Sequence, residues 1–207
     1  MSISENWRSM TVPPTASPII LIICGPAGSG KTTLCEQLLS EFPDRIERIV
    51  TTTSRQPRPG EVDGLDYHFL DEEVFKRRLE NGDFIEWAIV HGRYYGSQKK
   101  HILQQLEKGK DLMLNIDIQG AQTFRKEPSI NSRLAGGLHT IFIQPESLEQ
   151  IRERLKGRGE SEMEIERRLK SARIELQEVD NFEHVILSGT READYDALRK
   201  LYLSLRK

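Results

Sequence analysis

The sequence has too little of several features that would assign it to a special class of protein. It contains only two cysteines, Cys24 and Cys35, in 207 residues, which predicts partly buried, reduced thiols in a cytoplasmic protein. The 30 basic and 32 acidic side chains give a net charge of −2, so a dedicated nucleic-acid or acidic-membrane binder is not expected. The longest apolar run, residues 19–24, is too short to span a bilayer. Any anion that this protein binds must therefore be held by a local site.

The first residues of the chain differ in composition from the rest. Residues 1–18 contain serines, threonines and three prolines but no continuous apolar segment of the kind found in a signal peptide. We therefore predict a flexible tail over residues 1–17 and a protein that is not secreted.

Strands and helices alternate along most of the remaining chain. Residues 19–24 are rich in β-branched side chains and predict a buried strand of a parallel sheet, followed by a helix over residues 31–40 and a strand over residues 45–51. The alternation resumes with strands over residues 112–117, 140–144 and 184–187. We predict an α/β fold in which a parallel sheet carries helices on both faces.

The section between these two stretches has a different character. Residues 52–66 are rich in proline and glycine and predict a loop, and residues 71–81 predict a helix. A hairpin that reverses at His91 and Gly92 follows. This pattern indicates a small separate lobe.

One motif carries a specific chemistry. Residues 25–32, GPAGSGKT, match the phosphate-binding loop (P-loop) pattern G-x-x-x-x-G-K-[ST] between a predicted strand and a predicted helix. Backbone N–H groups and the helix N-terminus bind phosphate there, while Lys31 adds a full positive charge and the Thr32 hydroxyl can ligate Mg²⁺. A glycine-rich turn that only connects strand to helix is the alternative. We predict a three-layer P-loop NTPase fold and an ATP site formed by Gly25, Pro26, Ala27, Gly28, Ser29, Gly30, Lys31, Thr32 and Thr33.

A second candidate anion site lies in the predicted lobe. Arg55 and Arg58 occur in a loop stiffened by prolines, with Tyr67 shortly after them and Tyr95 beyond the hairpin. Two guanidinium groups and two phenol hydroxyls suit a phosphate dianion, because arginine pairs with phosphate bidentately. A solvated basic loop is the alternative that these residues alone leave open.

Six segments together resemble the guanylate kinase family. They are residues 51–61 (TTTSRQPRPGE), 64–69 (GLDYHF), 84–88 (FIEWA), 94–97 (YYGS), 116–120 (IDIQG) and 155–159 (LKGRG). The resemblance runs from about residue 18 nearly to the C-terminus. It implies transfer of the γ-phosphoryl group of MgATP to GMP or dGMP, in purine nucleotide metabolism. It implies ATP and GMP as the only partners, and a monomer or small homo-oligomer.

The resemblance also implies a GMP site. Its residues are Thr51, Arg55, Arg58, Tyr67, Glu86, Tyr95, Ser97 and Asp117. A carboxylate such as Glu86 can accept the guanine N1–H and 2-amino group together, while the Ser97 hydroxyl can serve O6. Adenine would present a lone pair to that carboxylate, which predicts rejection of AMP. The alternative for Glu86 is an exposed acid beside Trp87.

A lid and a catalytic set follow from the same resemblance. The implied catalytic residues are Lys31, Arg58, Arg154, Arg158 and Arg168, the last three closing over the phosphates. Pairing with glutamates at i to i+4 is expected for Arg152, Arg167 and Arg173. No general base is needed, because the second pKa of a phosphate monoester is about 6 and the acceptor is already ionised.

The expected domain over residues 18–207 has three parts. The core takes about residues 18–50, 99–145 and 172–207, the GMP-binding lobe about 51–98, and the lid about 146–171.

The chain departs from the family pattern at three places. Asn115 stands where an acid is usual, which leaves Asp117 as the second Mg²⁺ candidate, acting through water. Ser188 stands where asparagine is expected near the adenine of ATP. The segment between Arg158 and Arg168 is one residue shorter than usual.

Two other functions compete with the kinase. A noncatalytic guanylate-kinase-like module would bind a partner peptide, but its phosphate-binding loop would be incomplete, whereas this one is intact. A P-loop kinase acting on a phosphorylated sugar is the second alternative, and Glu86 with Ser97 and Asp117 favours a base-binding pocket instead.

Overall fold

The computed structural model describes residues 17–90, 92–127, 130 and 137–206. The predicted tail lies outside the described residues except for Ser17, and so does His91 of the predicted reversal.

Nine strands and seven α-helices are present within the described residues. The strands are β1 (Ile20–Cys24), β2 (Ile46–Arg48), β3 (Thr52–Thr53), β4 (His68–Phe69), β5 (Phe84–Val90), β6 (Arg93–Gln98), β7 (Asp111–Asn115), β8 (Leu138–Pro145) and β9 (His184–Ser188). The helices are α1 (Lys31–Glu41), α2 (Glu72–Glu80), α3 (Lys99–Glu107), α4 (Ile118–Arg125), α5 (Leu148–Lys156), α6 (Glu162–Glu175) and α7 (Arg191–Leu205). A 3₁₀ turn, Leu176–Asn181, continues α6.

The core is a five-stranded parallel sheet in the order β2-β7-β1-β8-β9. Its central strand β1 is buried along its whole length, as its uniformly apolar sequence predicts. One face of β1 packs with Leu38 of α1 and Tyr202 of α7, and the other packs with Ile102 of α3 and Phe124 of α4. The predicted parallel sheet with helices on both faces is thereby confirmed.

A separate four-stranded mixed sheet has the order β4-β3-β6-β5, and we call it the small sheet. The ring of Phe75 from α2 stacks on Phe84, with ring centroids 4.4 Å apart, and gives this sheet an apolar core of its own. The predicted strand over residues 45–51 is therefore too long. After Ile49 donates to the Met113 carbonyl, the chain leaves the core sheet, and Thr52 begins β3 of the small sheet.

Helices α5 and α6 pack against each other through a small apolar cluster. It consists of Ile151, Leu155, Ile165, Leu169 and Ala172, with Leu148 at its margin. Ile165, Leu169 and Ala172 recur at spacings of four and three, so they lie on one face of α6, and all three are buried. No helix among the described residues is long and apolar enough to cross a membrane.

Candidate active site

A cleft opens where the carboxyl ends of the core strands face the small sheet, the usual place for a ligand in an open α/β sheet. Its wall includes the predicted residues Gly25, Ala27, Lys31, Thr51, Arg55, Arg58, Tyr67, Glu86, Tyr95, Asp117 and Arg168. Residues as far apart in the sequence as Gly25 and Arg168 thus share one cavity.

The P-loop forms the floor of the cleft. Its conformation requires glycine at Gly25, where φ is +137° and a Cβ would come within 2.5 Å of the Ile143 carbonyl oxygen. The Lys31 ammonium folds back and donates to the carbonyls of Gly25, at 2.5 Å, and Pro26, at 2.8 Å. Desolvation lowers the pKa of Lys31. A polyphosphate in this loop would favour the charged form of Lys31, which burial disfavours.

Four other P-loop residues border further cavities. Gly28, Gly30 and Thr33 line a cavity shared with Arg154, Arg158, Arg191 and Asp194. Thr32 lines a smaller one together with Asn115. The predicted ATP residues therefore lie around one loop, with space on more than one side of it.

A buried carboxylate faces the cleft from the small sheet. Glu86 is 3% exposed, whereas its neighbour Trp87 is 40% exposed, so the alternative of a solvated strand acid is wrong. The Ser97 hydroxyl donates to Glu86 Oε1 at 2.5 Å. Burial raises the pKa of Glu86 to about 7, with the nearby Asp117 carboxylate adding to the rise. A Cβ at position 120 would lie 2.6 Å from Glu86 Oε2, so Gly120 is what allows this approach.

The geometry of Ser97 differs in one respect from the expected role. Its single hydroxyl proton is given to Glu86, so it cannot be given to a guanine O6 at the same time. In this arrangement Ser97 holds the carboxylate in place.

A cluster around Arg55 forms the candidate phosphate site. Its guanidinium makes a bidentate pair with Glu61, with N–O distances of 2.8 and 2.9 Å, and its Nε donates to the Tyr95 hydroxyl at 3.3 Å. The guanidinium carbon lies 5.4 Å from the Tyr67 ring centroid. Glu61 also accepts from the backbone N–H of Arg58 at 2.7 Å. The arginine loop is thus organised around the Glu61 carboxylate, with Arg55 half-buried and Arg58 exposed.

The arginines predicted for the lid differ in their contacts. Arg154 donates to the carbonyls of Gly28 and Ser29, at 3.2 and 3.3 Å, and to the Ser188 hydroxyl at 3.1 Å. Arg168 instead pairs with Glu160, at 2.8 Å, and Glu164, at 3.2 Å, while bordering the cleft. Arg154 is therefore already against the P-loop, and Arg168 is held by acids of its own segment.

Two other arginines pair with glutamates, as predicted, but at a spacing of three residues within a helix and not four. Arg167 pairs with Glu164, and Arg152 lies 3.9 Å from Glu149. Arg152 also pairs with Glu162 and Glu166 across the α5–α6 contact. These last two partners depend on how the helices pack, which the spacing within one helix does not reveal.

Comparisons with known proteins agree with this geometry. The family model described as guanylate kinase matches residues 17–204. The chain is 44% identical over 188 residues to a guanylate kinase of Nitratidesulfovibrio vulgaris, covering 90% of this chain and 87% of that protein. It is 40% identical over 187 residues to a guanylate kinase of Caldanaerobacter subterraneus, covering 90% and 87%. This chain belongs to the guanylate kinase family.

A solved structure supports the same conclusion. The crystal structure of guanylate kinase from Anaplasma phagocytophilum is similar to this fold with a TM-score of 0.73 at 29% identity, covering 93% of this chain and 88% of that chain. The family resemblance seen in the six sequence segments is confirmed, and with it the fold class.

The cleft wall of this guanylate kinase family member also contains residues that were not predicted from the sequence. Arg167, Ser171 and Glu175 lie there on α6, at a spacing of four residues that places them on one helical face. Burial raises the pKa of Glu175, and the Lys31 ammonium opposes that rise. Their spacing along the helix that carries Arg168 could have indicated them. Glu61 was also missed, and its position three residues after Arg58 could have indicated it.

The oxygen donors near the P-loop fit a magnesium ion. Thr32 and Asn115 border one small cavity, and Asn115 and Asp117 border the cleft. Hydroxyl, amide and carboxylate oxygens are the ligands that Mg²⁺ accepts, usually with several waters and substrate phosphates. Asp117 also caps α4 by accepting from the Gly120 N–H at 2.7 Å, which fixes its position.

Proposed function

We propose that this chain transfers the γ-phosphoryl group of MgATP to GMP, giving ADP and GDP. The observation that carries the proposal is the buried Glu86 carboxylate, which shares one cleft with the P-loop. A phosphate-binding loop and a carboxylate that can recognise a purine, in the same cavity, suit a phosphoryl transfer between two bound nucleotides.

The donor polyphosphate lies along the P-loop in this proposal. Main-chain N–H groups at the start of α1 and the Lys31 ammonium hold its β and γ phosphates. The cavity beside Gly30 and Thr33, which Arg154 and Arg191 also border, takes the rest of ATP. Ser188 contributes by holding Arg154 next to that cavity.

The acceptor lies against the small sheet. Glu86 accepts two hydrogen bonds from guanine, and its charge is regained because the new donors offset its desolvation. Arg55, Tyr67 and Tyr95 hold the GMP phosphate together with Thr51 and Arg58. Since the fork of Arg55 is engaged by Glu61, the phosphate must share this guanidinium or displace the carboxylate.

Phosphoryl transfer then requires position and charge stabilisation more than proton transfer. The acceptor oxygen belongs to a phosphate whose second pKa is about 6, so no side chain needs to remove a proton. When bound with ATP, Mg²⁺ would be held by Thr32 and, through water, by Asp117, and it would neutralise charge on the transferring group. Arg154, Arg158 and Arg168 stabilise the charge that spreads over the phosphoryl oxygens as α5 and α6 close.

A coupled assay with MgATP tests the proposal. ADP should form rapidly with GMP, more slowly with dGMP, and scarcely with AMP, CMP or UMP. Equal turnover of AMP and GMP would contradict the role of Glu86. No turnover with any nucleotide, together with tight peptide capture, would favour the interaction-module alternative.

A further inference from the structure

A second polar cluster lies at the end of the core sheet opposite the cleft. His139 is the second residue of β8, His184 is the first residue of β9, and Glu183 precedes it. The P-loop follows the carboxyl end of β1, whereas these residues lie at the amino ends of strands parallel to it. One ligand atom from each of the three lies within 4.8 Å of the other two.

The backbone fixes the two imidazoles relative to each other. His184 pairs with Ile141 in the parallel register of β8 and β9, and His139 lies two residues before Ile141 on the same face of the sheet. The ring centroids of the two histidines are 5.9 Å apart. Both rings are half-buried, so their proximity does not depend on long, mobile surface side chains.

The carboxylate is also held in place. Glu183 Oε2 accepts from the Thr140 N–H at 3.3 Å, and the Glu183 N–H donates to the Thr140 hydroxyl at 3.3 Å. The same Oε2 lies 3.4 Å from His139 Nδ1. Two ligands on a tetrahedral zinc ion, each bonded at about 2.0–2.1 Å, are themselves about 3.4 Å apart. This pair already has the separation that zinc requires.

We propose that His139, Glu183 and His184 bind one Zn²⁺ ion, with water at the fourth position. Two imidazoles and a carboxylate suit zinc, whereas Mg²⁺ prefers oxygen ligands only. Arg125 donates to the Thr140 hydroxyl, the group that also accepts from the Glu183 N–H. The ion would tie β9, an edge strand of the core sheet, to β8.

The site does not depend on the proposed kinase activity. At the far end of β9, Ser188 and Gly189 contact Asp194 of α7. A zinc ion at the amino end of β9 would therefore stabilise the edge of the core from the end of the sheet opposite the cleft.

Calorimetric titration of the full chain with zinc chloride, in buffer with millimolar Mg²⁺, tests the site. We expect one Zn²⁺ per chain, a Kd in the micromolar range or below, and a higher Tm by scanning fluorimetry. His184→Gln and Glu183→Gln should each weaken binding by on the order of tenfold or more. His101→Gln, which changes a half-buried histidine of α3 outside the cluster, should leave Zn²⁺ binding unchanged.

X-ray absorption at the zinc edge gives a readout that does not depend on variants. Two imidazole nitrogens and carboxylate oxygen in the ion's inner coordination sphere would support the assignment. Sulfur ligation would overturn it, since Cys24 and Cys35 would then hold the ion. Equal affinity in the wild-type protein and Glu183→Gln, or millimolar binding only, would overturn it as well.

Discussion

The two anion sites that we propose in the cleft are built in different ways. The proposed donor site, the P-loop, offers consecutive main-chain groups to phosphate and needs glycine where a Cβ would strike the neighbouring strand. The proposed acceptor site uses side chains from a loop and from β5 and β6 that are held by one another: Ser97 holds Glu86, and Glu61 holds Arg55. A main-chain site is indifferent to the rest of the nucleotide, whereas a side-chain site can discriminate between bases.

The buried charged groups of the two sites have opposite signs, and burial shifts their pKa values in opposite directions. Desolvation lowers the pKa of Lys31 on the donor side and raises the pKa of Glu86 on the acceptor side to about 7. Burial disfavours the charged form of each group, and the ligand proposed for each would favour it. This comparison yields three mutational predictions, from the largest effect to the smallest.

Lys31→Ala should abolish turnover, with a loss of about 10³-fold or more in kcat, because charge on the β and γ phosphates is no longer neutralised. GMP binding, measured by calorimetry, should be largely unchanged. Lys76→Ala, in an exposed α2 ion pair, serves as the matched control and should behave as wild type. Loss of GMP binding in Lys31→Ala would show that the two sites are not separate.

Glu86→Gln should lower kcat/KM for GMP by about 10²-fold, since a charge-assisted pair of hydrogen bonds is replaced by an amide that offers a donor to guanine N1–H. The preference for GMP over AMP should fall with it, while the KM for ATP stays constant. The measurement is steady-state kinetics with both acceptors, and Glu73→Gln on α2 is the control. An unchanged preference would remove Glu86 from base recognition.

Arg154→Ala and Arg152→Ala test the division among lid arginines. Arg154 contacts the P-loop, so its removal should lower kcat by about tenfold or more. Arg152 pairs only with glutamates of the two helices among the contacts described, so its removal should change kcat by less than about twofold. Similar losses in both variants would show that lid stability, and not contact with the P-loop, controls turnover.

The predictability of the two sites from sequence follows their construction. The P-loop is a contiguous segment, so the pattern of residues 25–32 was enough to predict a phosphate-binding loop there. The local sequence around Glu86 was equally compatible with an exposed acid. Only the family resemblance favoured a base-binding pocket. The burial of Glu86 depends on Gly120, 34 positions away, which local sequence cannot show. Glu61, the bidentate partner of Arg55, lies only six residues after it, but their pairing depends on how the loop folds back on itself, which composition and turn residues do not show.

The fold shows the same limit. Strand β1 and the β5–β6 hairpin were predictable because apolar composition and turn residues are local signals. The end of the strand predicted over residues 45–51 could not be predicted in this way. The strand propensity of the sequence continues past β2, but the pairing partner changes from β7 to the small sheet. The partners of Arg152 likewise depend on how α5 packs against α6.

The central claim is that an ionised Glu86 accepts hydrogen bonds from guanine, and the number of protons released on GMP binding tests it most directly. Titrations at pH 7 in buffers of different ionisation enthalpy count the protons. With a pKa of about 7 in the free protein, Glu86 is about half protonated at that pH, and guanine donors require the ionised form. GMP binding should therefore release about half a proton more from wild type than from Glu86→Gln, and should strengthen as pH rises from 6 to 8. Equal proton release from the two proteins would contradict the account.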